Sequence, residues 1–172
     1  MTIRQINATY LGQEDRILLR VSTEAAEEFR VLLTRGVVVQ LLRASSGAVT
    51  AEVTRSLATT DAQGVAEFRR LSIEKSTNFA VPYAQAEKKP FGDATPLVIS
   101  GVVSPREGLF DLRLGLAHGP FLTLSLTEVM LYQIDLMLEK LAVNAGWNLP
   151  ARGAGAPAQV RSPEVTESSV IH

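Results

Sequence analysis

The chain resembles itself over two stretches. Residues 6–42 align without a gap with residues 99–135, at an offset of 93 positions. Most aligned pairs keep an apolar residue opposite an apolar residue, and seven are identical: Ile6 and Ile99, Glu14 and Glu107, Leu19 and Leu112, Arg20 and Arg113, Leu33 and Leu126, Thr34 and Thr127, Gln40 and Gln133. Such a repeat constrains the fold more than any local motif, because both copies are expected to form the same unit.

Each copy is predicted to form a three-stranded antiparallel meander. Apolar and polar residues alternate with the period of a strand, and turn residues separate the runs. Residues 25–33 also fit helical periodicity, so the third strand has a competing interpretation. The predicted strands span 3–11, 16–21 and 29–33 in the first copy, and 97–103, 109–116 and 122–126 in the second.

A helix is predicted after each meander. Thr34 and Thr127 occupy equivalent positions from which a hydroxyl caps a helix, and Ala145-Gly146 is a typical helix stop. The predicted fold class is therefore α+β, with internally duplicated βββα units about a pseudo-twofold axis. The sequence leaves open whether the meanders join into one sheet or form two.

A segment without a counterpart separates the copies. We expect a single duplicated domain over residues 1–147, in which copy one spans 3–47 and copy two spans 97–147. The helical insertion and loop, 48–96, include an amphipathic helix from Asp61 to Lys75 with Val65, Phe68 and Leu71 on its apolar face. Residues 148–172 are predicted to be a flexible tail, because this stretch is rich in Ala, Gly, Pro and Ser.

Composition excludes several classes of function. The formal net charge of −1 gives no overall attraction to nucleic acid or anionic lipid, and the absence of cysteine excludes disulfides and thiolate metal sites. No hydrophobic run has the character of a signal peptide or a membrane span, so a cytoplasmic protein without membrane contact is expected.

Catalytic chemistry is not predicted either. His118 lies in a turn and His172 is the last residue of the sequence, so neither has a companion at the spacing of a triad or a metal site. We expect no enzyme activity, no catalytic residue, no metal ligand and no cofactor.

The outer face of the first meander is the first candidate binding surface. If the alternate residues face the core, then Arg16, Leu18, Arg20, Arg30 and Leu32 point outward together. Arginine mixed with leucine suits a protein partner or a nucleic-acid backbone. A solvated face with weak ion pairs is the plain alternative, and the face lacks aromatic residues that would stack on bases.

The loop at 77–96 is the second candidate. Phe79, Tyr83 and Phe91 are aromatic anchors for a partner surface, or else they fix the loop to the domain's own core. Gln40 and Gln133 lie at equivalent helix positions and either hydrogen-bond to each other near the axis or lie on the helix surface.

Three segments carry a resemblance to a known family. Residues 14–21, 28–35 and the closing Ala145-Gly146-Trp147 resemble an uncharacterised bacterial family of small proteins of unknown function. The resemblance implies no activity. Together these features predict a non-enzymatic interaction subunit or adaptor in a cytoplasmic bacterial or phage assembly, with homo-oligomerisation left open. The alternative is a nucleic-acid-binding regulator acting through Arg16, Arg20 and Arg30.

Overall fold

The structure is a computed structural model that describes residues 2–79 and 82–150. It contains six strands and three helices within these residues. In chain order they are β1 (Ile3–Leu11), β2 (Arg16–Thr23), β3 (Glu28–Leu33), α1 (Arg35–Leu57), α2 (Ala62–Ser76), β4 (Val98–Arg106), β5 (Leu109–Leu116), β6 (Leu122–Leu126) and α3 (Glu128–Asn144). The predicted tail falls outside the described residues beyond Pro150.

The strands form two antiparallel three-stranded sheets, which confirms the α+β class. The first sheet has the order β1-β2-β3 and the second has the order β4-β5-β6. The sheets approach each other through one parallel bridge between Leu32 and Leu97. The alternation in the sequence located these strands because the inner residues of each, such as Leu19 and Leu112, are buried.

Two threonines begin the helices that follow the sheets, as predicted. Thr34 Oγ1 accepts a hydrogen bond from the Val37 amide, and Thr127 Oγ1 accepts one from the Met130 amide. Helix α1 continues without a break through the Ser-Ser-Gly sequence at 45–47 to Leu57. Burial of its core face outweighs the low helix propensity of these three residues.

Gly146 ends the last helix in a Schellman motif. Its φ is +68°, its amide donates to the Val143 carbonyl, and the Trp147 amide donates to the Ala142 carbonyl. A left-handed residue at this position favours glycine. The motif turns the chain so that the Trp147 side chain is buried.

The ungapped offset of 93 holds for only part of each unit. It matches β2 with β5 and the first residues of α1 and α3. It fails in β1 and β4, because four residues separate the paired Leu11 and Arg16, whereas two separate Arg106 and Leu109. Structurally equivalent residues of β1 and β4 therefore lie 95 positions apart. The identities at Ile6 and Glu14 do not mark equivalent positions, and common ancestry of the units stays a prediction.

The helices connect the two units. Helix α1 packs chiefly against β4 of the second sheet, whereas α3 contacts β1 of the first sheet as well as β5 and β6. Each unit thus contributes a helix to the packing of the other. The apolar inner faces of both sheets are buried in one continuous core.

Helix α2 presents a different face from the predicted one. Val65 packs against the core, but Phe68 is 73% exposed and Leu71 is 44% exposed. The prediction that these residues share the buried face is wrong. Helix α2 packs on the core through Val65, Ala66 and Ile73. Polar contacts connect it to α3: Arg69 binds Glu128, and the Tyr132 hydroxyl donates to the Ala66 carbonyl.

Candidate interaction surfaces

The five residues predicted on the outer face of the first sheet do share that face. Leu18 lies opposite Leu32 and Arg20 lies opposite Arg30 in the pairing of β2 with β3. All five side chains, including Arg16, are only partly exposed. The face is less open than the sequence suggested. Another segment of the chain lies across it at Arg20, and Leu97 is bridged to Leu32 at its edge.

That segment is residues 82–91, which we call the strap. Gln5 of β1 holds its first residues: the side-chain Nε2 donates to the Pro82 carbonyl at 2.9 Å, and Oε1 accepts from the Ala84 amide at 3.1 Å. Lys88 forms two backbone hydrogen bonds, donating to the Ala26 carbonyl at 3.0 Å and accepting from the Glu28 amide at 2.7 Å. The strap therefore crosses the sheet from β1 to β3.

The aromatic residues of the strap contact the sheet. The Arg20 guanidinium lies 4.6 Å from the centre of the Tyr83 ring, and Phe91 packs edge-on against Phe29 with ring centres 5.4 Å apart. Of the two interpretations of these aromatics, the structure favours fixation of the loop to its own domain. Phe79 precedes the strap and is 37% exposed, with Lys140 Nζ 4.2 Å from its ring centre.

The three candidate arginines have partners within the chain. Arg20 donates to Asn7 Oδ1 through Nε at 3.2 Å and Nη2 at 2.6 Å. Arg30 Nε lies 3.6 Å from Glu28 Oε1, and Arg16 Nη1 lies 3.8 Å from Glu14 Oε2. Arg16 and Arg30 thus lie near carboxylates, whereas the partners of Arg20 are a neutral amide and the Tyr83 ring. A phosphate backbone would have to displace the strap to reach Arg20.

A buried polar pair lies under the strap. Glu28 is 4% exposed, and the Tyr83 hydroxyl is its neighbour. Burial, with the Glu28 carboxylate as a second cause, raises the pKa of Tyr83 to about 12. Neither Tyr83 Oη nor Glu28 Oε2 makes a hydrogen bond of good geometry, although Tyr83 lies close enough to Glu28 and Ser22 for both to influence its pKa. Because Tyr83 stays protonated at neutral pH, it is not suited to act as a general base.

A shallow groove lies between β1, α3 and the end of α2. Its volume is about 230 Å³, and its walls include Ile6, Phe79, Met130 and Met137. Gln133 also lines it and donates to Thr77 Oγ1 at 3.4 Å, whereas Gln40 is exposed. Of the two alternatives for the glutamines, the mutual hydrogen bond is therefore wrong. Gln40 lies on the helix surface, which is the other alternative.

The outer face of the second sheet is open. We call Ile99, Val102, Arg113 and Phe121 the open face; the three apolar members are 60%, 54% and 56% exposed. Val102 lies opposite Arg113 across β4 and β5, and the Arg113 guanidinium lies 3.9 Å from the centre of the Phe121 ring. No acidic side chain in the described part of the chain forms an ion pair with Arg113.

Gly115 keeps the open face flat. A Cβ atom at this position would lie 2.3 Å from Ser100 Oγ and 3.4 Å from a Phe121 ring carbon. The sequence analysis did not identify this face as a site. The signal it lacked is exposure, because alternation predicts which side chains point outward but not whether another segment covers them.

Metal sites and membrane spans are absent from residues 2–79 and 82–150. No group of three or more His, Asp or Glu side chains there could bind a metal ion. None of the three helices combines the length and apolar character needed to cross a bilayer. Comparison with protein-family models, curated proteins and solved structures gave no match. The resemblance to an uncharacterised bacterial family therefore stays a prediction.

Proposed function

We propose that this protein is a non-enzymatic protein-interaction subunit and that its contact surface is the open face of the second sheet. The observation that carries the proposal is the exposed stack of Arg113 on Phe121 beside Val102. Arginine and aromatic residues are enriched in the energetically dominant centres of protein interfaces, where they bury large areas. Here they project together from the outer face of the second sheet.

The contrast between the two sheets supports this choice. The outer face of the first sheet carries the strap, so its apolar and cationic groups already have partners. On the open face, Arg113 offers an uncompensated charge next to apolar surface. A partner segment with an acidic group and an apolar or aromatic side chain complements this arrangement.

The alternative, a nucleic-acid-binding regulator acting through Arg16, Arg20 and Arg30, has less support. Arg20 is bound to Asn7 and stacked on Tyr83, and Arg30 lies beside the buried Glu28 carboxylate. Electrostatic binding to phosphates depends on cations that are free to release counterions. We therefore keep protein binding as the proposed function.

The experiment compares a double variant with a matched control. Val102→Ser with Phe121→Ser removes apolar surface from the open face, whereas Phe68→Ser removes an exposed aromatic from α2, 73% exposed against 56% for Phe121. Wild type and both variants are immobilised and incubated with an extract of the source cells, and bound proteins are quantified by mass spectrometry. Light scattering on each purified protein reports self-association.

A protein, or a second copy of this chain, that binds wild type and Phe68→Ser but is lost from the double variant would support the proposal. Retention of every bound protein by the double variant, with a wild type that is monomeric at all concentrations, would contradict it. Circular dichroism of the double variant shows whether the sheet is intact. Surface substitutions of this kind change stability by about 0.5 kcal/mol or less.

A further inference from the structure

The strap is attached to the first sheet by few interactions. Among the described residues, Gln5 and Lys88 each contribute two hydrogen bonds that hold it. Tyr83 stacks on Arg20, and Phe91 packs edge-on against Phe29 at the margin of the core. None of its residues is fully buried, and most are exposed. Segments with few buried apolar contacts open locally at a lower free energy than the core.

Two polar atoms beneath the strap are poorly satisfied in the closed arrangement. Tyr83 Oη and Glu28 Oε2 are buried, and neither makes a hydrogen bond of good geometry, although Tyr83 lies close enough to Glu28 and Ser22 for both to influence its pKa. A buried polar group whose protein neighbours replace its water only in part destabilises the arrangement that buries it. Detachment of the strap would expose both atoms to water, so this term favours opening.

From these contacts we propose that residues 82–91 are a displaceable cover, which detaches as a unit while both sheets and all three helices stay folded. Detachment uncovers the part of the outer face that carries Arg20 and Glu28. Arg20 keeps its hydrogen bonds to Asn7 in β1 when the strap leaves, so its guanidinium remains positioned on the face. This device does not depend on the open face of the second sheet.

Trypsin offers a direct probe of detachment. The Lys88–Lys89 bond is a substrate for trypsin, whereas cleavage after Lys89 is blocked by the following Pro90. In the closed arrangement, the Lys88 amide and carbonyl both hydrogen-bond to the sheet. A protease must take this backbone into its own site, so cleavage after Lys88 requires the strap to leave. When opening is fast relative to cleavage, the rate follows the population of the open form.

Three variants are expected to change the rate of cleavage after Lys88 in three different ways. Tyr83→Ala removes the ring that stacks on Arg20 and should accelerate cleavage after Lys88 by roughly tenfold. Tyr83→Phe keeps the ring and removes the poorly satisfied hydroxyl, so cleavage should become slower by roughly threefold to tenfold. Phe68→Ala changes an exposed aromatic on α2, outside the strap, and should leave the rate unchanged.

Cleavage after Arg113, in the middle strand of the second sheet, reports global unfolding in the same digests. The proposal requires that cleavage after Lys88 responds to the Tyr83 variants while cleavage after Arg113 does not. Hydrogen exchange should agree: the Lys88 and Glu28 amides should exchange faster than the Leu19 amide of β2. If both cleavages change in parallel, or if the Lys88 and Leu19 amides exchange at one rate, the strap opens only by global unfolding and the proposal is wrong.

Discussion

Asp15 Oδ1 accepts a hydrogen bond from Trp147 Nε1 at 2.7 Å, which joins the first hairpin turn to the segment after the last helix. The same oxygen accepts a hydrogen bond from the Tyr10 hydroxyl at 2.8 Å. The Tyr10 and Trp147 rings meet edge-on, with centres 5.9 Å apart. Asp15 has a φ of +49°, a left-handed conformation that aspartate tolerates better than most residues. One carboxylate thus connects residues 132 positions apart.

Asp15→Ala is expected to lower the melting temperature and to loosen the packing of Trp147. The variant leaves the indole N–H and the Tyr10 hydroxyl without their shared acceptor. Trp147 is the only tryptophan of the chain, so its emission reports this site alone. A red shift in the folded state should accompany the lower melting temperature. Glu14→Ala, next in the chain and exposed, is the control and should change neither. Unchanged emission in Asp15→Ala would show that the hydrogen bond does not hold the indole.

The contribution of Asp15 should depend on pH. Hydrogen bonds from Trp147, and then from Tyr10, hold the pKa of its carboxyl below the ordinary value of 3.8. A carboxyl whose pKa is lower in the folded state adds stability above its unfolded pKa, and this stability is lost as the pH falls through the folded value. The difference in melting temperature between wild type and Asp15→Ala should therefore be largest at neutral pH and become smaller as the pH falls below 3.8. A difference that stays constant into acid would mean that the charge of Asp15 has no part in it.

The sequence predicted those parts of the molecule that depend on local order. Alternation of apolar and polar residues located the strands. Thr34 and Thr127 marked the helix starts, because each threonine side chain bonds to a backbone amide only three residues further along. The strap left no such signal: Gln5 binds Pro82 and Ala84, which lie almost eighty positions away. Exposure of Phe68 was also hidden, since two helix faces of α2 carry apolar residues and tertiary packing selects one. The sequence placed apolar residues and arginine on both outer faces, and it did not show that a segment of the chain covers only the first.

Loss of the ion pair between α2 and α3 should destabilise the protein more than loss of a surface pair. Arg70 binds Glu139 through Nη2, and its side chain is 11% exposed. Glu139→Ala removes the main partner of a largely buried guanidinium, and we expect a loss of about 1–3 kcal/mol in the free energy of unfolding. The exposed pair of Arg55 with Glu52 is the control, and Arg55→Ala should change stability by about 0.5 kcal/mol or less. Chemical denaturation measures both. Equal effects would show that burial does not strengthen the Arg70 contact.

Gly101 sets the distance between α1 and the second sheet. A Cβ atom at this position would lie 2.2 Å from Leu41 Cδ2 and 3.1 Å from its Cγ, and Leu41 is 2% exposed, so it has no free space to move into. Gly101→Ala should therefore destabilise the protein by about 1–3 kcal/mol, the range expected for overpacking a core. Gly47 of helix α1 provides the opposite case, because no atom lies within 4 Å of the place that its Cβ would take. Gly47→Ala should therefore stabilise the protein, since alanine favours a helix over glycine by about 1 kcal/mol. Denaturation midpoints should move in opposite directions for the two variants. A stable Gly101→Ala protein would show that α1 does not pack on β4 as closely as Leu41 indicates.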